Sequence, residues 1–158
     1  MDNLATYLND HLAGATTGRE LAKRTLSNNR GTQFEPTLEW VVGQIVEDRE
    51  ALLEIMRAVG APQDHLKRLA AFAIERVGRL KPNNSLLSYS PLSRLVEFEG
   101  LLIGVTGKQA GWRALQQLED ARLADIDLEL LVQRATEQRE RIEEQRVEAA
   151  RLALLPNE

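Results

Sequence analysis

The chain has 158 residues and contains no cysteine, which excludes a disulfide framework, a thiolate metal site and a cysteine nucleophile. Its formal net charge of -4 gives no general attraction to nucleic acid or anionic lipid, because such binding relies on clustered Lys and Arg. The length suits a single domain over residues 1–158 that buries a core without help from a metal or disulfide.

The first predicted helix spans Asn3 to Asn28. Gly14 and Gly18 on it form a small-xxx-small pair, which is typical of a helix that another helix approaches closely. Arg19 interrupts the apolar row, so this sequence predicts a charged group on an inward face. The row itself consists of Leu4, Leu8, Leu12, Ala15, Ala22 and Leu26.

A second predicted helix begins at Pro36 and ends near Val59, because Gly60 and Pro62 follow. Asp48 and Arg49 stand midway along it, where the apolar face should continue, and therefore predict a second charged position in the interior. The apolar residues of this face are Leu38, Val41, Val42, Ile45, Leu52, Met56 and Val59.

Residues 62–81 predict a third, shorter helix, followed by a connection of about ten residues. Its inward residues are Leu66, Leu69, Ala70, Ala73, Val77 and Leu80. Its basic residues are Lys67, Arg68, Arg76, Arg79 and Lys81. Those near the end of the helix suit the negative end of its dipole, and they also allow a phosphate-binding or nucleic-acid-binding interpretation.

The next predicted helix runs from Pro91 to Leu118, with Ser90 as N-cap. Its apolar stripe consists of Leu92, Leu95, Val96, Leu102, Ile103 and Val105. Glu99 falls inside this stripe, which predicts an inward carboxylate that needs a partner. The glycines of the same helix, at positions 100, 104, 107 and 111, predict close packing against a neighbouring helix.

The last predicted helix covers Asp127 to Leu154. Its apolar seam contains Leu128, Leu131, Ala135, Ile142, Ala149 and Leu152, with Gln138 and Gln145 filling the same seam. The opposite face carries many charges of both signs, which is the pattern of a solvated helix surface rather than of a binding tract.

Helices of this length predict an all-α, up-down-down-up four-helix bundle in which residues 62–90 form the crossover, including the shorter helix. Counting along each helix from one end of the bundle places the inward charges at similar heights. We therefore predict one buried polar layer, in which the groups neutralise one another, formed by Arg19, Glu20, Asp48, Arg49, Glu99 and Gln145.

This connectivity and the inward carboxylates resemble the ferritin-like superfamily. The strings HLAGATTGRELAKR, GRLKPN and YSPLSRLVEFEGLLIGVTGK are similar to an uncharacterised bacterial family of such helical proteins. Ferritin-like di-iron proteins use single glutamates on two helices and Glu-x-x-His on the other two. Glu20 and Glu99 match the single glutamates, but the Glu-x-x-His motifs are missing and both histidines, His11 and His65, are predicted far from the polar layer.

The leading functional hypothesis is a non-enzymatic, metal-free helical bundle that acts by protein association as a homo-oligomer or with a protein partner. Trp40, Trp112 and the glycine-rich helices are its candidate contact surfaces. The alternative hypothesis is a metal-binding or small-molecule-binding, possibly redox, bundle that uses Glu20, Asp48 and Glu99. No signal peptide and no apolar run of membrane-spanning length is evident, so we predict a cytoplasmic protein without a membrane contact.

Overall fold

The computed structural model describes residues 2–63 and 89–155, and this part of the chain contains four α-helices and no strand. The helices are α1 (Asn3–Asn28), α2 (Glu35–Val59), α3 (Pro91–Gln116) and α4 (Leu128–Leu154), with a 3-10 turn at Ala121–Leu123. The all-helical prediction is confirmed. The predicted helix over residues 62–81, including its basic residues, lies outside the described residues apart from positions 62 and 63, which are not helical.

The helix ends follow the capping residues of the sequence. A side-chain oxygen of Asp2 accepts from the N–H of Leu4 at the start of α1, and Ser90 accepts from the N–H of Ser93 at the start of α3. Gly60 ends α2 in the left-handed conformation, with φ of 71°, which glycine adopts without strain. Two of the four helices, α1 and α3, begin on the predicted residue, and the other two begin one residue away from it.

Helices α1 and α3 pack side by side in opposite directions. The ring of His11, in the first half of α1, lies against Gly111 near the end of α3. Towards the other end of the pair, Arg24 Nε lies 3.0 Å from a carboxylate oxygen of Glu97. The contacts therefore run antiparallel along the two helices.

Helices α2 and α4 are also antiparallel neighbours. The guanidinium of Arg141 lies 4.1 Å from the centre of the Trp40 ring, and Gln138 donates to Asp48 further along both helices. Short connections join α1 to α2 and α3 to α4, and each of these pairs is in contact. Helices α2 and α3 consequently point one way and α1 and α4 the other, with α2 and α3 on opposite corners.

The apolar core of the described residues is divided into two clusters. One is built around Leu8, Leu12, Leu52, Ile55, Met56, Trp112, Leu115 and Leu131. The other is built around Ala22, Phe34, Leu38, Val41, Phe98, Leu101, Val105 and Ile142. Asp48, Lys108 and Gln138 belong to neither cluster and join α2, α3 and α4 at intermediate heights. Within the described ranges, no helix combines the length and apolarity needed to cross a membrane.

Candidate functional site

A buried carboxylate forms the centre of the polar interior. The side chain of Asp48 on α2 is 2% exposed, and its Oδ2 accepts hydrogen bonds from Lys108 Nζ at 2.5 Å and from Gln138 Nε2 at 2.7 Å. Lys108 also donates to the side-chain oxygen of Gln138. Three side chains from three helices thus form a closed triangle of hydrogen bonds, which is what a buried charge requires to avoid a large desolvation cost.

Arg134 on α4 approaches the same carboxylate from the other side. Its Nη2 lies 3.1 Å from Asp48 Oδ1, without hydrogen-bond geometry, and 2.7 Å from a carboxylate oxygen of Glu47. Arg134 Nε donates to the side-chain oxygen of Gln44 at 3.3 Å. The arginine therefore links the buried Asp48 to polar groups at the surface of α2 and supplies a second positive charge.

The Lys108 ammonium is the cation that balances the charge of the Asp48 carboxylate. Burial lowers the pKa of Lys108, and the neighbouring Asp48 acts in the opposite direction by favouring the charged form. An ammonium with two hydrogen-bond partners satisfies the carboxylate without a bound ion. We name Asp48, Lys108, Gln138 and Arg134 the buried polar cluster.

Two of the predicted layer residues are not in the interior. Glu20 and Glu99 are both exposed, so their prediction as buried residues is wrong. The error at Glu99 has a specific cause: the predicted stripe mixed buried residues of α3 with Val96 and Ile103, which face outward. The true inward row of this stretch, Leu95, Phe98, Leu101 and Val105, is centred roughly 100° around the helix from Glu99.

The remaining predicted residues occupy boundary positions, apart from the buried Asp48. Arg19, Arg49 and Gln145 are partly exposed. The nearest ion-pair partner of Arg19 is the adjacent Glu20, at 3.9 Å, and that of Arg49 is the adjacent Glu50, at 3.2 Å. Among the described residues, no hydrogen bond or ion pair joins Arg19, Glu99 or Gln145 to Asp48.

Lys108 is the functional residue that the sequence interpretation missed. It occupies an inward position, because Leu101, Val105, Trp112 and Leu115 are buried at steps of three and four residues around it. This spacing could have identified it from the sequence. Gln138 was visible in the apolar seam of the last helix, where it stands between the buried Ala135 and Ile142.

A second polar cluster near the start of α3 was also not predicted. Glu97 is 9% exposed; it pairs with Arg24 and accepts a hydrogen bond from the Tyr89 hydroxyl at 2.8 Å. The same hydroxyl accepts from Asn29 Nδ2 at 2.8 Å, and Arg94 Nε donates to Asn29 Oδ1 at 2.5 Å. Burial raises the pKa of Tyr89, so the hydroxyl stays neutral and able to donate.

A groove of about 420 Å³ opens between α1 and α3. Four glycines line its middle part, Gly14 and Gly18 from α1 and Gly104 and Gly107 from α3. A Cβ added at any of the four would meet nothing within 4 Å, so the predicted close packing is wrong at these positions. Among the glycines that line the groove, Gly111, whose added Cβ would lie 2.6 Å from His11, and Gly100, at 2.9 Å from Leu21, allow a close approach.

The groove has apolar walls and a polar floor. Asp48, Lys108 and Arg49 line it, together with Trp112, whose side chain is 3% exposed. The indole Nε1 of Trp112 and the Nε of Arg49 are buried without a hydrogen-bond partner among the described residues. Trp112 is thus part of the interior, and its prediction as a surface contact is wrong. Buried N–H groups are rarely left unpaired, and these two are exceptions within the described residues.

Aromatic rings close the groove where His11 lies against Gly111. Tyr7 and His11 stack edge to face with centroids 4.5 Å apart, and both line the groove. Burial lowers the pKa of His11, which favours the neutral ring, while Asp10 opposes this shift. Neutral aromatic groups therefore continue the apolar wall.

The described residues do not bring metal ligands together. Nowhere within residues 2–63 and 89–155 do three His, Asp or Glu side chains converge in a way that could hold a metal ion. Glu20 and Glu99, which stand for the single glutamates of the ferritin-like resemblance, are exposed. Of the two acidic side chains that are buried in the described residues, Asp48 is already bound by Lys108 and Gln138, and Glu97 by Arg24 and Tyr89.

Comparisons with known proteins identify no relative of this chain. No protein-family profile, no curated protein and no solved structure matches it. The function is therefore argued from the buried polar cluster, the groove and the exposed surfaces.

Proposed function

We propose that this protein is a non-catalytic, ferritin-like helical bundle that acts by protein association, and that it associates first with a second copy of itself. In this proposal the Asp48–Lys108 pair takes the place of a metal, in an up-down-down-up arrangement, and the protein works in the cytoplasm. The antiparallel contacts of α1 with α3 and of α2 with α4 support the arrangement.

The observation that carries the proposal is an exposed apolar stripe on α3. Leu92 is 54% exposed, Val96 38% and Ile103 74%, and Ala110 and Ala114 are exposed as well. At 3.6 residues per turn, all five side chains leave α3 within about 20° of one direction. A row of apolar residues along an exposed helix face is typical of a surface that another helix covers.

The stripe complements itself when two copies of α3 lie antiparallel with a twofold axis at Ile103. Positions equally far from the axis then face each other. Leu92 meets Ala114 of the second copy and Val96 meets its Ala110, so that each large side chain faces a small one. Such matching of large and small residues allows two helices to pack closely.

The one acidic residue near the stripe is accommodated by the same symmetry. Glu99 lies opposite Gly107 of the second copy, where the missing side chain leaves room for the carboxylate to reach water. The stripe therefore contains no large side chain that would have to be buried against another large one, except Ile103 at the axis.

Sedimentation velocity of the full chain over a range of concentrations tests the association. We expect a dimer that Ile103→Glu converts to a monomer, because a carboxylate on the axis would face its own copy in an apolar contact. Val147→Glu is the matched control, since Val147 is 46% exposed on α4, away from the stripe. A monomer at every concentration, or a dimer that Ile103→Glu leaves intact, would contradict the proposal.

A further inference from the structure

We propose that residues 64–88 of this chain, the 64–88 segment, cover the groove between α1 and α3, with the apolar face of their predicted helix against it. This inference goes beyond self-association, because it assigns an occupant from within the same chain to a surface of the described residues. Three observations support it: the two points at which the segment is attached, the apolar lining of the groove, and the sequence of the segment.

The chain is held at α1 just before and just after the segment. Before it, Asn9 Nδ2 of α1 donates to the carbonyl oxygen of Pro62 at 2.8 Å. After it, the Tyr89 hydroxyl accepts from Asn29 at the end of α1 and donates to Glu97 of α3, both at 2.8 Å. Since α2 and α3 occupy opposite corners, the chain has to pass α1 or α4 between them, and these contacts favour the α1 side.

The length of the segment suits a path along α1. Asn9 and Asn29, which mark the two attachment points, are about 30 Å apart by helical rise. Residues 64–81, which belong to the predicted shorter helix, would rise about 27 Å as a helix and leave residues 82–88 for the turn to Tyr89. Such a helix carries the chain from one attachment point to the other beside α1.

The groove offers this helix a long apolar surface. Gly100 and Gly111 mark its ends on α3, about 16 Å apart by helical rise, and Gly14 and Gly18 line it on α1. Between the glycines it is lined by aliphatic side chains, including Leu8, Ile45, Leu52, Leu101, Val105 and Leu115. Covering these side chains with another apolar surface removes hydrocarbon from water, which favours an occupied groove over an empty one.

The charged residues of the groove do not oppose an apolar occupant. Asp48 is buried, and Lys108 Nζ donates to it and to Gln138 of α4. Since α4 contributes no described residue to the groove, the aliphatic stem of Lys108 rather than its ammonium borders it. Arg49 is already paired with Glu50 at 3.2 Å. Covering the groove therefore strips no unpaired charge of its water.

The sequence of the segment supplies a face of matching length. Leu66, Leu69, Ala70, Ala73 and Val77 recur at steps of three and four residues, as on one face of a helix, and cover about 16 Å of rise. The opposite face of such a helix is polar and contains Arg68, Glu75 and Arg79. One face thus suits the groove and the other suits water.

The attachment points also predict a register. The helix would run parallel to α1, and counting from Pro62 beside Asn9 brings Ala70 level with Thr17. Gly104 of α3 stands at about the same level, between the two close contacts that join α1 to α3. We therefore expect Ala70 and Gly104 to lie across from each other, within about one turn.

The groove and the α3 stripe are neighbouring faces of α3 that share Ile103 at their common edge. The four groove glycines of α3 are centred roughly 70° around the helix from the stripe, towards α1. The segment and a second copy would accordingly contact different sides of α3. A side chain added at Gly104 leaves α3 roughly 100° from that of Ile103, so Gly104 reports on the groove.

Thiol labelling of the full chain tests whether the groove is covered. The chain has no cysteine, so Gly104→Cys places a single thiol in the groove. Gly43→Cys, at an exposed glycine of α2 with open space around it, is the matched control. We expect a maleimide to modify Gly104→Cys at least about tenfold more slowly than Gly43→Cys, because the segment has to leave the groove first.

Further substitutions identify what covers the thiol. Ala70→Glu should restore fast labelling of Gly104→Cys, because it places a carboxylate on the apolar face of the segment. Arg68→Glu, on the opposite face, is its control and should leave the labelling slow. Leu92→Glu, which puts a charge on the α3 stripe outside the groove, should also leave it slow, since it acts on a second copy and not on the segment. Circular dichroism checks that each variant is folded.

Disulfide formation measures the contact itself. Gly104→Cys combined with one of Leu69→Cys, Ala70→Cys and Ala73→Cys should form an intramolecular disulfide under mild oxidation, which requires Cα atoms within about 7 Å. Gly104→Cys combined with Arg68→Cys should not, because Arg68 is on the opposite face of the predicted helix. Peptide mass spectrometry identifies the disulfide.

Three results would overturn the inference. The first is labelling of Gly104→Cys as fast as that of Gly43→Cys, which means that the groove is open and free to take another occupant. The second is slow labelling that Leu92→Glu relieves and Ala70→Glu does not, which means that a second copy covers the groove. The third is the absence of a disulfide with all three apolar positions. The dimer is measured separately, by sedimentation velocity with Ile103→Glu, and can fail or hold independently of these results.

Discussion

Lys108 on α3 reaches across the interior to Asp48 on α2, with Nζ 2.5 Å from Oδ2, although these two helices do not pack against each other. The long lysine side chain closes the distance between opposite corners of the four-helix arrangement. Gln138 of α4 completes the contact by bonding to both partners. One ion pair therefore ties together three helices whose other contacts are mostly apolar.

Removing the cation of this pair should destabilise the fold strongly. In Lys108→Met the carboxylate of Asp48 remains 2% exposed and loses its closest positive charge, so we expect the free energy of unfolding to fall by about 3–5 kcal/mol. Urea unfolding measures the loss. Lys23→Met, at an exposed position of α1, is the control and should change the stability by less than about 0.5 kcal/mol.

The pair should also show coupling. Because Asp48→Asn removes the buried charge while keeping a group that can hydrogen-bond to Gln138, the double variant with Lys108→Met should recover a large part of the loss. If the two substitutions instead destabilise additively, the ion pair does not act as a unit.

Two glycines of α3 should respond in opposite directions to the same substitution. Gly104→Ala places a Cβ in open space and should raise the free energy of unfolding by about 0.5–1 kcal/mol, because alanine favours the helix. Gly111→Ala places its Cβ 2.6 Å from His11 Cε1 and should lower it by about 1 kcal/mol or more, because the ring has to move. Thermal unfolding of both variants shows which glycine packs closely against α1 and which one faces the open groove.

The free energy of unfolding should decrease as the pH is lowered, because His11 becomes protonated. Burial lowers the pKa of His11 in the folded chain, so the unfolded chain binds a proton more readily below its ordinary pKa of about 6.5. The stabilising contribution is complete above that value and is lost as the pH falls from there towards the lower folded pKa. We expect the melting temperature to drop as the pH falls below about 6.5 and to drop less in His11→Gln. An unchanged pH profile in the variant would exclude His11 as the cause.

The Tyr89 hydroxyl should stabilise the start of α3. It donates to Glu97 and accepts from Asn29, both at 2.8 Å, so Tyr89→Phe leaves two largely buried groups with one partner fewer. We expect a loss of about 1–2 kcal/mol in the free energy of unfolding, measured with guanidinium chloride. Tyr7→Phe is the matched control, because Tyr7 is 37% exposed and packs with its ring. Equal effects of the two substitutions would mean that the hydrogen bonds of the Tyr89 hydroxyl contribute no more to stability than a partly exposed hydroxyl does.

The helices could be predicted from the sequence because their ends are local. Ser90 and Pro91 start α3, and Gly60 ends α2, through interactions within one turn. The buried Asp48 could also be predicted, since it interrupts an otherwise regular apolar face. These features depend on the spacing of residues along one helix.

The partner of Asp48 could not be chosen in the same way. Three α3 residues of the apolar pattern, Leu92, Val96 and Ile103, face outward, and they shifted the predicted inward face towards Glu99. A helix with apolar residues on two faces does not reveal from periodicity alone which face is buried. The open groove was missed for a related reason, because glycine spacing is the same whether a neighbouring helix is close or absent.

The buried polar cluster has a consequence for how the helices slide against one another. Moving α2 by one turn would carry the Asp48 carboxylate about 5.4 Å from its two hydrogen-bond donors, Lys108 and Gln138, and leave it charged in a hydrocarbon environment. Leucines and valines tolerate such a shift far better, since one aliphatic contact substitutes for another. We therefore expect Asp48 to fix the register of α2 against its neighbours, because registers shifted by one turn, which the apolar residues alone would allow, become unfavourable.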